Sequence, residues 1–351
     1  MSHRLKVLAD MHHSGLYESL RLLFEDRLDY ELYRPLGLEW YTEGYWFVYD
    51  ALATAQQYLG LQLTQDYDEF QKANPGHWLN KGWKDTGGGV FAIPSQDMSK
   101  THYGIRLDTF RKTKFDIMLS SMPRHFIMFE RLREQCQPTA KHIWQIGNIW
   151  QVLPGVKNLM NSTAMPVPDG INHVRYHQEF DRSLFKLSPC ANPRSVLNMM
   201  HYQTQQYLDE FTSLENLMRP RGWVFHNCGA GNRDGAVFPL DIPKAFADHG
   251  FVWHNKHMEG YGYNLHQAIA CGRPIICHRK LYHGMIGEAL LTPHTCIDID
   301  EHETLDQLAD TMEVWAAKHE QAAKETEARF REVVDFDAEF KRIKHFLDVL
   351  Q

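Results

Sequence analysis

The chain has 351 residues, more than one hydrophobic core usually covers, so two domains are expected. Hydrophobic residues make up 43% and charged residues 23%, which supplies ample buried core and excludes a disordered chain. A formal net charge of −7 excludes a global attraction to nucleic acid or to an anionic membrane, although local basic clusters can override it.

The opening residues "MSHRLKVLAD" run straight into a candidate strand, with no apolar stretch of signal-peptide length. No segment approaches the roughly 18 apolar residues of a spanning helix. These features predict a soluble, cytoplasmic protein with no membrane span. Six cysteines show no CxxC spacing and sit mostly in apolar contexts, so reduced core thiols are expected. The 21 histidines lack metal-ligand spacing: there is no HExxH, and His254 and His257 have no acidic or thiol set beside them. No metal is expected.

In chain order, residues 4–9 form an apolar run of strand length. "DMHHSG" follows, then Leu16, Leu20, Leu23 and Phe24 at helical spacing behind Ser14 as N-cap candidate. "YELYRP" reads as a second strand, so the chain opens with the βαβ signature of a parallel sheet. Residues 61–105 are rich in Gly, Pro, Trp and Lys and predict a long, partly irregular insertion. Alternation resumes with strand "FDIMLSS", helix "MPRHFIMFERLREQ" and strand "AKHIWQIGN". Two prolines in "SPCANPR" mark a boundary near 190. A second series then reads strand 195–201, helix 205–218, strand 222–229, helix 241–249, strand 250–255, helix 263–271 and strand 273–278. From Leu305 the pattern is helical to the end. The expected fold class is α/β, with two Rossmann-like doubly wound domains: 1–190, 191–320, and C-terminal helices over 321–351.

Glu259-Gly260-Tyr261-Gly262 lies between strand and helix, where open α/β sheets bind ligands. Gly260 and Gly262 can take positive φ and let backbone N–H groups approach a ligand. The helix that starts there adds free N–H groups and a positive dipole end, so an anion is the expected occupant. A tight turn without ligand is the alternative. Gly272 fits the helix C′ position, and Pro274 cannot prolong the helix.

"EGYGYNLHQAIACGRPII" resembles the C-domain signature of GT-B glycosyltransferases, especially the retaining families that read E-G-[FY]-G-x-x-x-x-E-A-x-A-x-G-x-P. Glu259, Gly260, Tyr261, Gly262, Ala268, Ala270, Gly272 and Pro274 fall on that pattern, which spans about 20 residues. A looser likeness, K-x-x-E-G-Y-G-x-x-x-H, points to bacterial and phage-encoded glycosyltransferases and adds Lys256 and His266.

The resemblance implies two Rossmann-like domains, with the chain crossing back to the first domain at its end. It also implies a nucleotide-diphosphate sugar as donor substrate and no required cofactor. Glu259 would face the donor sugar, and the backbone of Gly260, Tyr261, Gly262 and Tyr263 would receive the pyrophosphate. The ribose-binding Glu of the family is replaced by Gln267, a neutral and weaker acceptor. Cations at the departing diphosphate are expected from Lys256, then Arg273, then Arg233 in the glycine loop "GAGNRDG". In the first domain the loop through His12, His13 and Gly15 would meet the donor phosphates and the reacting centre, either histidine bonding phosphate or acting as base.

Retention of configuration follows from the family analogy alone. The acceptor is expected to be a glycan or small molecule. Basic residues interleaved with aromatics around 61–133 make a hydroxymethylated base in phage DNA the alternative. A nucleotide-sugar epimerase and a non-catalytic nucleotide-sugar or nucleic-acid binding protein are the competing readings. "DMHHSG" has one glycine, which argues against a dinucleotide oxidoreductase. Asp298-Ile299-Asp300 has the letters of a metal-binding DxD but reads as capping or surface acid.

Overall fold

The computed structural model describes residues 4–10, 14–36, 40, 84–94, 101–147, 151–200, 204–229, 231–237, 241–256 and 260–351. The chain divides into two compact units: 1–162 with 166–179 and 339–351, and 163–165 with 180–338. The division thus falls at 179/180 rather than 190. Residues 321–338 go with the second unit and 339–351 with the first, so the expected separate helical tail is not one body.

The first unit is built on a nine-stranded sheet. Its strands are β1 (Lys6–Ala9), β2 (Glu31–Pro35), β3 (Lys84–Gly87), β4 (Val90–Pro94), β5 (Thr101–Ile105), β6 (Ile117–Ser120), β7 (Lys141–Ile146), β8 (Asn158–Asn161) and β9 (Asn172–Arg175). Their order is β3-β4-β5-β2-β1-β6-β7-β8-β9. Every pair from β5 to β9 is parallel, and β3 and β4 extend the edge antiparallel. Among the described residues, helices α1 (Ser14–Arg21), α2 (Leu107–Lys112) and α3 (Pro123–Cys136) lie between its strands. A π-helical turn, Leu22–Arg27, continues α1.

Alternate residues of the central strands feed different cores. Val7 and Ala9 join one cluster with Leu20, Phe24 and Ile343, while Leu8 joins another with Phe110, Phe129 and Leu132. A strand buried on both faces must be apolar, as Val7, Leu8 and Ala9 are, while Arg4 and Lys6 lie before the buried stretch. Burying a side chain such as Val7 or Leu8 contributes roughly 1.5–3 kcal/mol.

Within the expected partly irregular insertion, 84–87, 90–94 and 101–105 are strands. The triple glycine lets β3 and β4 turn tightly, with Gly87, Gly88 and Gly89 all at positive φ. Residues 61–83 and 95–100 of that prediction lie outside the described residues.

The second unit has a parallel five-stranded sheet: β10 (Ser195–Asn198), β11 (Val224–Asn227), β12 (Phe251–Trp253), β13 (Ile275–Cys277) and β14 (Cys296–Asp298). Their order is β11-β10-β12-β13-β14. Helices α4 (Gln205–Met218), α5 (Ile242–Asp248), α6 (Tyr263–Ala270), α7 (Leu305–Ala317) and α8 (His319–Val333) accompany it. The core joins Val196, Phe211, Phe251, Trp253 and Ile276 to Leu308 and Met312 of α7. Phe180 meets Phe330 and Phe336 at 5.7 and 5.4 Å, which fastens residues after α8 into this unit.

The last helix, α9 (Phe336–Asp348), returns the chain to the first unit. Glu339 accepts from the His177 N–H and contacts His177 Nδ1, both at 2.7 Å. Asn158 and Gln351 exchange hydrogen bonds at 2.9 and 3.1 Å.

Candidate functional site

In the second unit the chain leaves β10 for β11 on one side and then crosses to β12 on the other. The loops after β10 and β12 therefore diverge, and open sheets of this kind bind ligands at that point. Asn198, the last residue of β10, stands in register with Trp253, the last of β12. Asn255 and Lys256 follow directly beyond that edge, and Gly260-Tyr261-Gly262 leads into α6.

Gly262 caps α6 in the left-handed region, at φ +74° and ψ +50°, where a side chain would be strained. Its carbonyl accepts from the His266 backbone N–H at 3.1 Å and from His266 Nδ1 at 2.9 Å. Because a carbonyl only accepts, the imidazole carries its proton on Nδ1. The Tyr261 ring stacks on that imidazole, with centroids 4.2 Å apart at 11°. Both side chains are buried. His266 thus holds the turn in shape from below. The half-buried Tyr263 packs edge-on to Phe180 at 6.0 Å.

One turn further along α6, Gln267 is 4% exposed, and its Oε1 is buried with no hydrogen-bond partner among the described residues. An unpaired buried acceptor costs on the order of 1–3 kcal/mol. Such a group in a native fold calls for an explanation, and a ligand donor is one.

The far end of the helix is closed by a Schellman motif. Gly272 N–H bonds the Ile269 carbonyl at 2.9 Å, and Arg273 N–H bonds the Ala268 carbonyl at 2.9 Å. Arg273 is fully buried at this end. Its guanidinium donates to the carbonyls of Phe246 at 2.5 Å and Ser188 at 2.7 Å, and to Ser188 Oγ at 2.8 Å. An eight-residue helix is about 12 Å long. The expectation that Arg273 serves the diphosphate is therefore corrected: its donors are spent on backbone at the opposite end of α6.

Arg233 is exposed and bonds Glu215 at 3.0 Å and Asp234 at 3.2 Å. These two partners raise its pKa. The glycine loop around it is closed on itself: Asp234 accepts from the Asn227 N–H at 2.7 Å, and Gly229 N–H bonds the Gly235 carbonyl at 2.7 Å. A Cβ on Gly229 would stand 2.6 Å from the Met200 carbonyl oxygen. The structure does not bring Arg233 to the α6 turn as a spare cation.

Carboxamides line the carboxyl edge of this sheet. Asn198 Nδ2 donates to Asn227 Oδ1 at 2.8 Å, and Asn255 Oδ1 accepts from the His278 N–H at 2.7 Å. His278 is held between Asp300 at 2.9 Å and Glu210 at 3.0 Å. Burial opposes its charge, yet the two carboxylates raise its pKa above the ordinary histidine value. Asp298 accepts from the Asp300 N–H at 3.1 Å and caps a short helical turn. Among the described residues no group of three or more His, Cys, Asp or Glu could hold a metal ion.

In the first unit the crossing point lies between β1 and β6. Asp10, just past β1, accepts from the Ser121 N–H at 2.7 Å, from Ser121 Oγ at 2.5 Å and from His125 Nδ1 at 2.7 Å. All three residues are buried. Reading "DMHHSG" through its histidines missed this cluster; the signal available was an acid just past one strand and a Ser-x-x-x-His just past another. Gly15 lies half-buried in the first turn of α1. His12, His13 and Glu259 lie outside the described residues.

Solved structures match over nearly the whole chain. Anabaena HepE in complex with UDP-glucose aligns with TM-score 0.57 and 12% identity over 99% of this chain and 100% of its own. An alpha-glucosyltransferase in complex with UDP and a 13-mer DNA containing a HMU base aligns with TM-score 0.58 and 10% identity, over 99% and 100%. TarM aligns with TM-score 0.56 and 10% identity over 99% of both chains. The fold is that of the GT-B glycosyltransferases. No protein-family model matches the chain, and no curated protein matches it. At 10–12% identity the GT-B likeness is a likeness of fold. No helix among the described residues is long and apolar enough to cross a membrane.

Proposed function

We propose that this chain is a glycosyltransferase that moves a sugar from a uridine-diphosphate sugar to a hydroxyl acceptor with retention of configuration. The observation that carries the proposal is the glycine-capped start of α6 at the sheet's crossing point, with the unpaired Gln267 Oε1 one turn inside. Helix N–H groups and the Gly260–Gly262 backbone form an anion seat. Gln267 accepts from a ribose hydroxyl. Lys256, exposed beside the turn, stabilises charge that builds on the departing diphosphate. Glu259 faces the donor sugar. His12 or His13 bonds a phosphate or sugar hydroxyl. Tyr261, Tyr263 and His266 shape the turn, and Arg233 and Arg273 are left out of the contact set. The UDP-bound structures of like fold support the choice of nucleotide.

For the acceptor, a glycan or small molecule is the first reading. Exposed Arg106, Arg111, Lys112, Lys114, Arg124 and Arg131 in the first unit also suit a polyanion, DNA with a hydroxymethylated base included. Thermal-shift titration with UDP, GDP, ADP and their sugar conjugates tests the donor, because a ligand selective for the native state must raise its stability. UDP is expected to give the largest shift, and transfer from UDP-sugar to glycan or hydroxymethylated DNA then identifies the acceptor. No shift with any nucleotide would overturn the proposal; donor consumption without acceptor, yielding an isomerised sugar, would replace it with an epimerase.

A further inference from the structure

Asn255 carries a buried amide that the turn's sequence resemblance does not mention. Its side chain is 0% exposed. Oδ1 accepts the backbone N–H of His278 at 2.7 Å, so the amide spans from the end of β12 to the end of β13 and its orientation is set. The other end, Nδ2, is buried with no hydrogen-bond partner among the described residues. Two N–H donors are thus held out of water at the crossing point, directly before Lys256. Other carboxamides on this edge are spent: Asn198 Nδ2 on Asn227, and Asn232 Nδ2 on the Met200 and Cys228 carbonyls.

A solvent-excluded donor costs stability until it meets an acceptor, and in that setting the bond it makes is strong. A helix start and a lysine attract anionic oxygens. We infer that Asn255 is a donor-binding residue that gives its Nδ2 N–H groups to phosphoryl oxygen of the nucleoside diphosphate. The inference rests on the donor site proposed above and deepens it. Neutrality is what the position requires: an aspartate there would keep the bond to the His278 N–H but set a carboxylate oxygen against the phosphoryl group.

The test uses the full-length protein as wild type, Asn255→Asp and Asn255→Ser, titrated calorimetrically with UDP and observed with uridine by saturation-transfer NMR. Losing a hydrogen bond to a charged group should weaken UDP binding about 10- to 100-fold in Asn255→Ser. Asn255→Asp should be weaker still, with the uridine signal retained in both. The unliganded melting curve of each variant shows that it folds. UDP binding equal to wild type in Asn255→Ser would overturn the inference, and so would equal loss of UDP and uridine, which marks a structural residue. If wild type itself binds neither UDP nor any other nucleoside diphosphate, the donor-site reading fails and this inference falls with it.

Discussion

Asp10 and His125 join the ends of two neighbouring strands: the His125 Nδ1, on the first turn of α3, lies 2.7 Å from Asp10 Oδ2 just past β1. Ser121 donates both its N–H and its hydroxyl to the same carboxylate. Three donors converge on one buried acid. In Asp10→Asn the new NH2 must face one of those donors and leave it unsatisfied. The expected cost is about 1–3 kcal/mol. Urea unfolding should show a lower midpoint with Asp10→Asn than with Ser121→Ala, which removes only one hydroxyl bond. Equal midpoints would show that the carboxylate is not the hub.

Gly272 and Gly284 have nearly the same φ, +74° and +79°, but different surroundings. A Cβ on Gly272 would lie 2.7 Å from the Ala323 carbonyl oxygen of α8, whereas nothing lies within 4 Å at Gly284. Both alanine variants incur the left-handed penalty of about 1–2 kcal/mol. Only Gly272→Ala must also displace backbone, adding roughly 1–3 kcal/mol. Thermal melts should rank Gly284→Ala well above Gly272→Ala.

His278 predicts a pH dependence of stability. An unfolded histidine titrates near about 6.5. In the fold, burial works against the charge, but Glu210 and Asp300 raise the value. The clamp's stabilisation is then complete below the unfolded pKa and is lost as pH rises through the higher folded one. Lys280, bonded to Asp300 at 2.7 Å, competes for one carboxylate and leaves Glu210 as the steadier partner. Melting temperatures of wild type and His278→Gln should differ most near pH 6 and converge by pH 9. A constant gap across that range would count against an ionic clamp.

Gln267→Glu should separate stability from binding. A carboxylate placed where Oε1 has no partner is costly in the unliganded chain, so its melting temperature should fall. The same carboxylate accepts a ribose hydroxyl more strongly than an amide does, so the UDP-induced shift should grow. Glu259→Ala and Lys256→Ala should instead keep the fold and lower turnover, Lys256→Ala by about 10- to 100-fold for one lost charge-assisted contact. An unchanged UDP shift in Gln267→Glu would place the ribose elsewhere.

Much of the second unit was legible in one dimension. Alternating apolar runs and helical spacings specify β10 to β13 and α4 to α6, because short connections keep sequence neighbours adjacent in space. The glycine positions announce local backbone geometry, and both Gly262 and Gly272 take it up. Strands β3, β4 and β5 were hidden because the glycines at 87–89 and 104 and Pro94 interrupt the alternation that marks a strand. β8 and β9 were hidden because Asn158, Asn161, Asn172, His173 and Arg175 interrupt the apolar run that marks a strand.

Charge is where linear reading failed. By itself the sequence determined the α/β class, the glycine-capped turn and the end of α6, since each depends on local conformational preference and hydrophobic period. It also supplied Arg233 and Arg273 as cations near that turn, because a one-dimensional pattern shows charge without partners. Only the tertiary structure decided that Arg273 is spent on the carbonyls of Phe246 and Ser188, and Arg233 on Glu215. It likewise decided that Asp10 meets His125 across 115 residues, and that Asn255 and Gln267 keep unpaired polar atoms. The physical reason is common to all of them: the energy of a buried polar group is set by the partner that packing brings within about 3 Å, and that partner is usually far away in the chain.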